Sequence, residues 1–559
     1  MAADTNTDVK GNSEAGAEAF PTLTDADMAV MDGLGTRRPI TVGEYLYREG
    51  DQTYDFMVVV SGAIDVVASD GRGGEETIVA NHGAGKFLGE LNLLSGMRVF
   101  VSARVVEAGE VIVIPVDNLR RLIATSPRLG DTILTAFMAR RSVLLTGASA
   151  STRLIGSRFC PLCLQVREFL SRARVPFEWL DPDTDADVQS LLDAFGIEPD
   201  EVPVVITSGT VLRRPTPGTL SEYLGLTLES LPGRCFDLVV VGGGPAGLAA
   251  AVYGASEGLN TLGVEKFGAG GQAGSSSRIE NYLGFPTGIS GGDLTARAIV
   301  QAEKFGAHLT TPCEATSLRE EAGHLVIRLS DGSDVAARAV IVASGARYRR
   351  LPVDRLESFE GNGVYYAATE MERRQCTDAP TVVVGGGNSA GQAAMYLSDT
   401  GPVTVVIRGD DLGKSMSRYL TDRIDAHPHI TVRTGAQITG LVGEPDLQAV
   451  LLTDDEGTTE VPCAGLFSFI GAEPSSSWIS GCAAFDERGF VLTDRALGPE
   501  HLDERWEALG RMPLPFETSH PGLFAVGDVR SGSTKRVAAA VGEGSACVGA
   551  VHQYLSFTA

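Results

Sequence analysis

The chain has 559 residues, too many for one core, and its 43% hydrophobic content is enough to fill several domains of ordinary size. A formal charge of −25, from 46 basic against 71 acidic residues, excludes nucleic acid as a partner, because neutralising phosphates takes a basic surface. No apolar run is long enough to cross a bilayer and the polar first nineteen residues lack the apolar stretch of a secretory signal, so no membrane role and a cytoplasmic location are expected.

Residues 1–18 read as a disordered tail of small and acidic residues. Over residues 19–147 short strands are expected at Ile40–Leu46, Phe56–Val60, Ala63–Ala68, Thr77–Val79, Val99–Val106 and Val111–Pro115, then helices at Asn118–Thr125 and Leu129–Leu145. Many short strands divided by glycines predict an antiparallel β-roll or barrel with helices. The stretches Glu49-Gly50-Asp51, Val60-Ser61-Gly62-Ala63-Ile64 and Phe87-Leu88-Gly89-Glu90-Leu91-Asn92 resemble the cyclic-nucleotide-binding domain family. The resemblance implies a phosphate cassette opened by Gly89, with Glu90 on the ribose hydroxyl, backbone from Leu91, and a following arginine on the cyclic phosphate. Registering the strand Val101–Val105 on the family pattern puts that arginine position on Val99, with Arg98 one residue away and Ser102 just beyond. A phosphate without its bidentate arginine loses a strong contact, so a degenerate structural module and a sensor of a nucleotide or other anion both fit.

Residues 152–226 follow a small polar linker. The strand Arg153–Gly156, Arg158-Phe159-Cys160-Pro161-Leu162-Cys163 leading into a helix over Leu164–Ala173, a strand Pro176–Leu180, a helix Asp185–Phe195 and Val202–Ile206 make a β-α-β-α-β order. This resembles the glutaredoxin/thioredoxin superfamily, Cys160 and Cys163 matching its redox dithiol and Pro203 its cis-proline. A thiol in the first turn of a helix meets the positive dipole end, and Arg158 adds charge, so thiolate is favoured. Zinc is the rival reading, but four ligands are wanted and no second pair lies in this segment; an inert relic of the dithiol is the third. The other six of the eight cysteines, Cys235, Cys313, Cys376, Cys463, Cys482 and Cys547, are scattered as structural thiols.

After a nine-residue connector, Leu226–Arg234, the run Phe236–Phe267 reads as strand, glycine turn, helix and second strand ending in an acid. Gly242 makes the turn, Gly244 leaves room for a pyrophosphate at the helix N-terminus, Gly247 lets helix and strand pack closely, and Glu265 can accept from ribose hydroxyls. Together with Gly270–Gly274, Ile279–Pro286, Ala343–Ala346, Gly527–Arg530, Lys535–Ala538 and Gly542–Gly544, it resembles the thioredoxin-reductase-like pyridine-nucleotide flavoproteins over some 320 residues. The resemblance implies FAD held by Gly242, Gly244, Gly247 and Glu265, with Gln272 and Asn281 near the isoalloxazine, Asp528 at the ribityl chain, and Arg536, Val537 and Ala538 at the ring.

A second nucleotide turn interrupts the first domain: the strand Thr381–Val384 runs into Gly385-Gly386-Gly387-Asn388-Ser389-Ala390-Gly391, and the strand Val403–Ile407 ends in Arg408 rather than an acid. An arginine there welcomes a 2′-phosphate, which reads as NADPH bound by Gly385, Gly387, Asn388, Ser389, Ala390 and Arg408, with Lys414 and Arg418 in support. The expected architecture is therefore a multidomain chain of a β-roll, an α/β thioredoxin-like domain, and two α/β three-layer dinucleotide-binding domains. The FAD domain is split over residues 234–352 and 477–559 by an inserted NADPH domain, 353–476.

In disulfide reductases of this family a Cys-x-x-Cys precedes the second nucleotide strand; here Ala367 and Glu370 stand there. The dithiol missing from the core appears upstream at Cys160 and Cys163. The reading that joins these facts is a thioredoxin-disulfide-reductase-like enzyme of cell redox homeostasis. It carries electrons from NADPH through FAD to the Cys160/Cys163 pair and on to a thioredoxin-like protein or small disulfide. Two alternatives stand beside it: an NADPH reductase of ferredoxin, flavodoxin or quinone carriers without dithiol chemistry, and a regulatory protein that senses nucleotide and redox state. A homodimer is implied by the resemblance.

Overall fold

The structure, a computed structural model, describes residues 18–558 apart from 70–75, 147–151, 184–187, 189–191, 193–195, 199–200, 208–209, 228–233, 275, 277, 280, 361, 367, 369 and 445. The chain forms two compact units, the first running to Glu229 and including Glu303–Gly306, the second covering Ser230–Ala302 and Ala307–Ala559.

The first unit opens with a six-stranded antiparallel sheet. Thr36–Ile40, Ser102–Ile114, Phe56–Ser69 and Glu76–His82 lie in that order, with Tyr45–Tyr47 beside the second and Phe87–Leu88 beside the third. Three expectations are corrected here. The stretch Ile40–Leu46 is two strands parted by a turn at Gly43 (φ 85°). The pairs of short strands expected at 56–60 and 63–68, and at 99–106 and 111–115, are each one long strand, the second beginning only at Ser102. The glycines that looked like turns are points of close approach between these two strands. A Cβ on Gly109 would lie 2.1 Å from the Ser61 carbonyl oxygen, and one on Gly62 2.5 Å from that of Glu107, where the register slips. Phe56, Phe87 and Phe137 fill the core with rings 5.4–6.3 Å apart. The helices Val116–Thr125 and Pro127–Thr146 close it, the former burying Leu119, Leu122 and Ile123 at helical spacing.

A four-stranded sheet follows in the order Thr210–Arg213, Val204–Thr207, Thr152–Ile155, Phe177–Leu180. The last two strands are parallel and the other pairs antiparallel. The helix Pro161–Arg172 buries Val166, Phe169 and Leu170 against Leu154 and Val205. The final strand and the helix Pro217–Leu224 went unread in the sequence, and the helix expected over 185–195 lies largely outside the described residues. Met97 and Phe100, from the loop before the last long strand of the six-stranded sheet, share this hydrophobic core.

The second unit has a seven-stranded sheet in which Cys235–Val241 lies between Thr261–Val264 and Asp334–Val342, parallel to both. Buried on both faces, its run Leu238–Val241 has no polar side chain. Leu523–Ala525 returns from near the C-terminus to pair with Asp334–Val342. The intervening chain builds a five-stranded parallel sheet in the order Val364–Tyr365, Gly465–Ser468, Thr381–Val384, Val403–Val406, Ile430–Arg433.

Candidate functional site

The strand Cys235–Val241 delivers the chain into Gly242 at φ 116°, where a Cβ would sit 2.2 Å from the Ala343 carbonyl oxygen. A Cβ on Gly247 would lie 1.7 Å from the Gly242 carbonyl oxygen, so the helix Pro245–Ser256 rests on the turn itself. That helix starts at Gly244 with no side chain capping its free N–H groups, and proline at its first position has no N–H to satisfy. Around Gly244 the space is open, the nearest atom to a built Cβ being the Gly271 Cα at 3.9 Å. Glu265 accepts from the Gly243 N–H at 2.5 Å and the Phe267 N–H at 3.0 Å, which holds its carboxylate beside the turn. The Gln272 amide donates to the Ala346 carbonyl, and Asn281 is exposed. From the other end of the chain, Asp528 sits in the short turn Gly527–Val529, its carboxyl raised above the usual range by burial, with Lys535 opposing and Glu543 adding to the shift. Arg536 stands at the N-cap position of the helix Val537–Phe557 without a side-chain cap; it and Ala538 are exposed and Val537 is half-buried. A Cβ on Gly544 would lie 2.1 Å from the Ala246 carbonyl oxygen, which fixes this last helix against the first turn of Pro245–Ser256.

The second turn repeats the design. Gly385, at φ 138°, leaves no room for a Cβ before the Phe469 carbonyl oxygen at 2.4 Å, while nothing lies within 4 Å of one on Gly387, the uncapped start of the helix Asn388–Leu397. Ser389 and Ala390 are in its first turn, and the Asn388 side-chain oxygen accepts from the Ser417 N–H at 2.7 Å. Arg408 is exposed two residues past the strand Val403–Val406. Lys414 pairs with Asp410 at 2.5 Å, and Arg418, its side chain 93% exposed, faces Asp422 at 3.8 Å. Gln272, beside the first turn, and Ser389, on the second, line one cleft of about 170 Å³ together with Gln392, Tyr396 and Phe469.

In the first unit, Cys160 is the N-cap of Pro161–Arg172 and its Sγ accepts from the Cys163 N–H at 3.4 Å. Cys160 is partly exposed and Cys163 fully buried; burial first, then hydrogen bonding and charge from Cys160, push the Cys163 thiol far above its ordinary range. A Cβ on Gly156 would meet the Cys163 Sγ at 2.7 Å, so the glycine makes room for the second thiol. The Val202–Pro203 peptide bond is cis. Arg158, expected to favour the Cys160 thiolate, faces Asp181 at 3.8 Å and lies over the Phe159 ring at 5.3 Å. Of the remaining cysteines, burial raises Cys313, Cys376 and Cys463 to about 12. Cys547 is also buried, Cys482 half-buried and Cys235 exposed.

The five cassette candidates of the first domain are not gathered around one open polar site. Glu90 is paired through both oxygens with Arg141, Nη2 at 2.6 Å, and accepts from the Asn92 N–H at 3.1 Å. Arg98 donates to the Gly50 carbonyl at 2.7 Å and to the Tyr223 carbonyl, and the Ser102 hydroxyl accepts from the Glu49 N–H at 2.9 Å. Gly89 takes φ 147° under the Phe137 ring, and Leu91 is half-buried.

Residues 236–544 match the family model of the pyridine nucleotide-disulphide oxidoreductases. The chain belongs to the pyridine nucleotide-disulphide oxidoreductase family. The thioredoxin reductase of Treponema pallidum is 32% identical over 323 residues, 57% of this chain and 97% of that protein. That of Streptomyces clavuligerus is 31% identical over 324 residues, 57% and 94% of the two. Among solved structures, thioredoxin reductase of Lactococcus lactis aligns with a TM-score of 0.51 at 27% identity over 57% of this chain and 99% of that one. The T. acidophilum enzyme aligns likewise at 0.51 and 27%, over 58% and 100%. Residues 37–126 match the cyclic nucleotide-binding domain model, so the six-stranded sheet is such a domain.

The chain is thus a thioredoxin-reductase-like oxidoreductase of the NAD(P)-dependent flavoprotein family, and FAD and NADPH are the cofactors its thioredoxin reductase homologues use. Both glycine turns suit such cofactors, each offering an uncapped helix start facing open space. Where family disulfide reductases carry their dithiol this member has no cysteine; Ala367 lies outside the described residues and Glu370 opens the short helix Glu370–Gln375. Sequence reasoning missed Gly243, whose N–H holds Glu265, and Arg141, whose pairing with an acid 51 residues away leaves no local signal. Among the described residues no helix is long and apolar enough to cross a membrane.

Proposed function

We propose that this chain is an NADPH-dependent flavoprotein that reduces disulfides through Cys160 and Cys163, its four-stranded domain being a thioredoxin-like module fused ahead of the flavoprotein. The observation that carries the reading is a dithiol at a helix N-terminus in a chain whose own flavoprotein half has lost that pair. FAD is assigned to Gly242, Gly244, Gly247, Glu265, Gln272, Asn281, Asp528, Arg536, Val537 and Ala538. NADPH is assigned to Gly385, Gly387, Asn388, Ser389, Ala390 and Arg408, with Lys414 and Arg418 at its edge. Residues 353–476 form an NADPH domain inserted between the two parts of the FAD domain, 234–352 and 477–559. Arg408 favours NADPH over NADH because it places a cation where a carboxylate would repel the 2′-phosphate. The cleft lined by both Gln272 and Ser389 supports close approach of the two cofactors.

When bound, FAD and NADPH supply a two-electron transfer by hydride. The chain's cysteines do the rest. Two electrons and two protons open the Cys160–Cys163 disulfide to two thiols. The partly exposed Cys160, as thiolate, attacks an external disulfide, forms a mixed disulfide and expels one thiolate. Cys163 then attacks the Cys160 sulfur, expels the second thiolate and restores the starting disulfide. Burial raises the Cys163 thiol and hides it from an incoming disulfide, which supports the partly exposed Cys160 as the attacking sulfur. The acceptor is a thioredoxin-like protein or a small disulfide, the working form a homodimer, and the location the cytoplasm. The test is NADPH oxidation by the FAD-loaded chain with a disulfide acceptor. Cys160→Ser should abolish turnover while NADPH still bleaches the flavin; unchanged turnover would rule this reading out, and assays with ferredoxin, flavodoxin and quinone acceptors test the carrier alternative.

A further inference from the structure

The end of the nucleotide cassette, residues 96–101, packs onto the dithiol domain. Met97 and Phe100 are buried in one core with Val166, Phe169 and Leu170 of the helix that starts after Cys160, and with Leu220 and Leu224 of the helix Pro217–Leu224. The charged groups run the same way. A helix leaves its last carbonyls without partners in the helix, and that end favours a cation. Pro217–Leu224 ends at Gly225 (φ 75°); the N–H groups of Gly225 and Leu226 return to Glu222 and Ser221, and Arg98 takes the next two carbonyls. Its backbone N–H donates to Leu224 at 3.0 Å and its Nε to Tyr223, with the guanidinium 4.9 Å from the Tyr223 ring centroid.

The same side chain donates from Nη1 to the Gly50 carbonyl at 2.7 Å, which ties the helix end to the β-roll. The fit is close, since a Cβ on Gly225 would lie 2.9 Å from the Gly96 carbonyl oxygen. Arg141, which holds Glu90, donates from Nη1 to the Arg174 carbonyl at 3.3 Å, just past the end of Pro161–Arg172. Val99, where the phosphate arginine of the cassette falls, is buried and uncharged. An anion that recruited Arg98 would have to take it from the helix end.

We infer that the cyclic-nucleotide-binding domain is the seat of the dithiol domain, with Arg98 as a positioning residue that grips the C-terminus of Pro217–Leu224 in place of a cyclic phosphate. The grip fixes the end of the dithiol domain from which the connector leaves, and the shared core braces the helix that carries Cys163. Its consequence for electron flow rests on the disulfide-reductase reading above; the grip itself does not.

Two measurements on the full-length, FAD-loaded protein test it: amide hydrogen exchange, and the rate at which NADPH opens the Cys160–Cys163 disulfide, read by quenched alkylation. In Arg98→Ala, exchange over Pro217–Leu224 should quicken about 10- to 100-fold, as expected for losing hydrogen bonds from a charged donor, while exchange over Phe56–Ser69 stays unchanged. Disulfide opening should slow about 10-fold or more while flavin bleaching by NADPH keeps its rate. Arg98→Lys keeps a cation at the helix end without the two-pronged reach, and should fall between Arg98→Ala and the unaltered protein in both. Cyclic AMP in millimolar excess should leave exchange over Pro217–Leu224 in the unaltered protein unchanged. If Arg98→Ala fails to fold, Arg98→Lys and the cyclic AMP measurement still decide. Unchanged exchange over that helix in the variants, faster exchange on adding cyclic AMP, or disulfide opening at the unaltered rate in a variant whose helix exchanges faster overturns the inference. A disulfide that NADPH leaves closed in the unaltered protein sinks the disulfide-reductase reading instead, and exchange alone then decides the grip.

Discussion

Removing the Glu90 carboxylate tests whether the cassette acid has become structural. Its partner Arg141 is only 4% exposed and commits two guanidinium nitrogens to Glu90, so Glu90→Ala leaves a guanidinium in the interior without its paired carboxylate. Breaking one half of a buried pair costs about 3–5 kcal/mol, since the survivor remains desolvated without its counter-charge. At about 1.4 kcal/mol per tenfold, amide hydrogen exchange along Phe56–Ser69 in the full-length chain should quicken roughly 10²- to 4 × 10³-fold. The double change Glu90→Leu, Arg141→Met replaces both charges with apolar groups and should return exchange to within about tenfold of the unaltered protein. An acceleration below about fivefold in Glu90→Ala would refute the reasoning, because an acid kept for a ligand would leave the free protein nearly as stable when lost.

Arg408→Glu should raise the KM for NADPH by about 10- to 100-fold while leaving that for NADH little changed, as expected for loss of a charge-assisted phosphate contact; steady-state kinetics with both nucleotides check it. Gly247→Ala should yield protein without bound flavin, visible as loss of visible absorbance, because the added Cβ would sit 1.7 Å from the Gly242 carbonyl oxygen. Cys163→Ser should let Cys160 form the mixed disulfide but not resolve it, trapping a covalent adduct visible by intact mass. His82 ionises in the unfolded chain near 6.5 but only near 3 when folded, so its contribution to stability is complete above pH 6.5 and is lost as pH falls toward 3. That loss is about 2 kcal/mol at pH 5, and His82→Leu should flatten the stability profile between pH 6.5 and 5 by that amount in denaturant titrations.

Local signals made the two glycine turns legible. Gly242, Gly247 and Gly385 sit where backbone approaches backbone, a demand written within a dozen residues of strand, turn and helix, and the structure keeps each of them tight. The Cys160/Cys163 pair was legible for the same reason, since one helix N-terminus fixes both. Gly62 and Gly109 misled, because a glycine between apolar runs looks alike whether the chain reverses or two long strands press together. The fate of the cassette was hidden entirely. Arg141 lies 51 residues beyond Glu90 on a helix whose facing residues only the assembled domain reveals, and Arg98 is claimed by a carbonyl of the following domain. Arg158 was read from its neighbours in sequence, yet Asp181, brought alongside by the parallel strand Phe177–Leu180, holds it.

The central claim is that electrons from NADPH reach the upstream sulfur pair. Anaerobic addition of one equivalent of NADPH to the oxidised, FAD-loaded full-length chain, quenched with a thiol-alkylating reagent and mapped by peptide mass spectrometry, measures it directly. The account predicts that Cys160 and Cys163 become alkylated together, stoichiometrically with NADPH consumed, and that the other six cysteines do not change. A flavin that is fully reduced while the Cys160–Cys163 disulfide stays intact would contradict it.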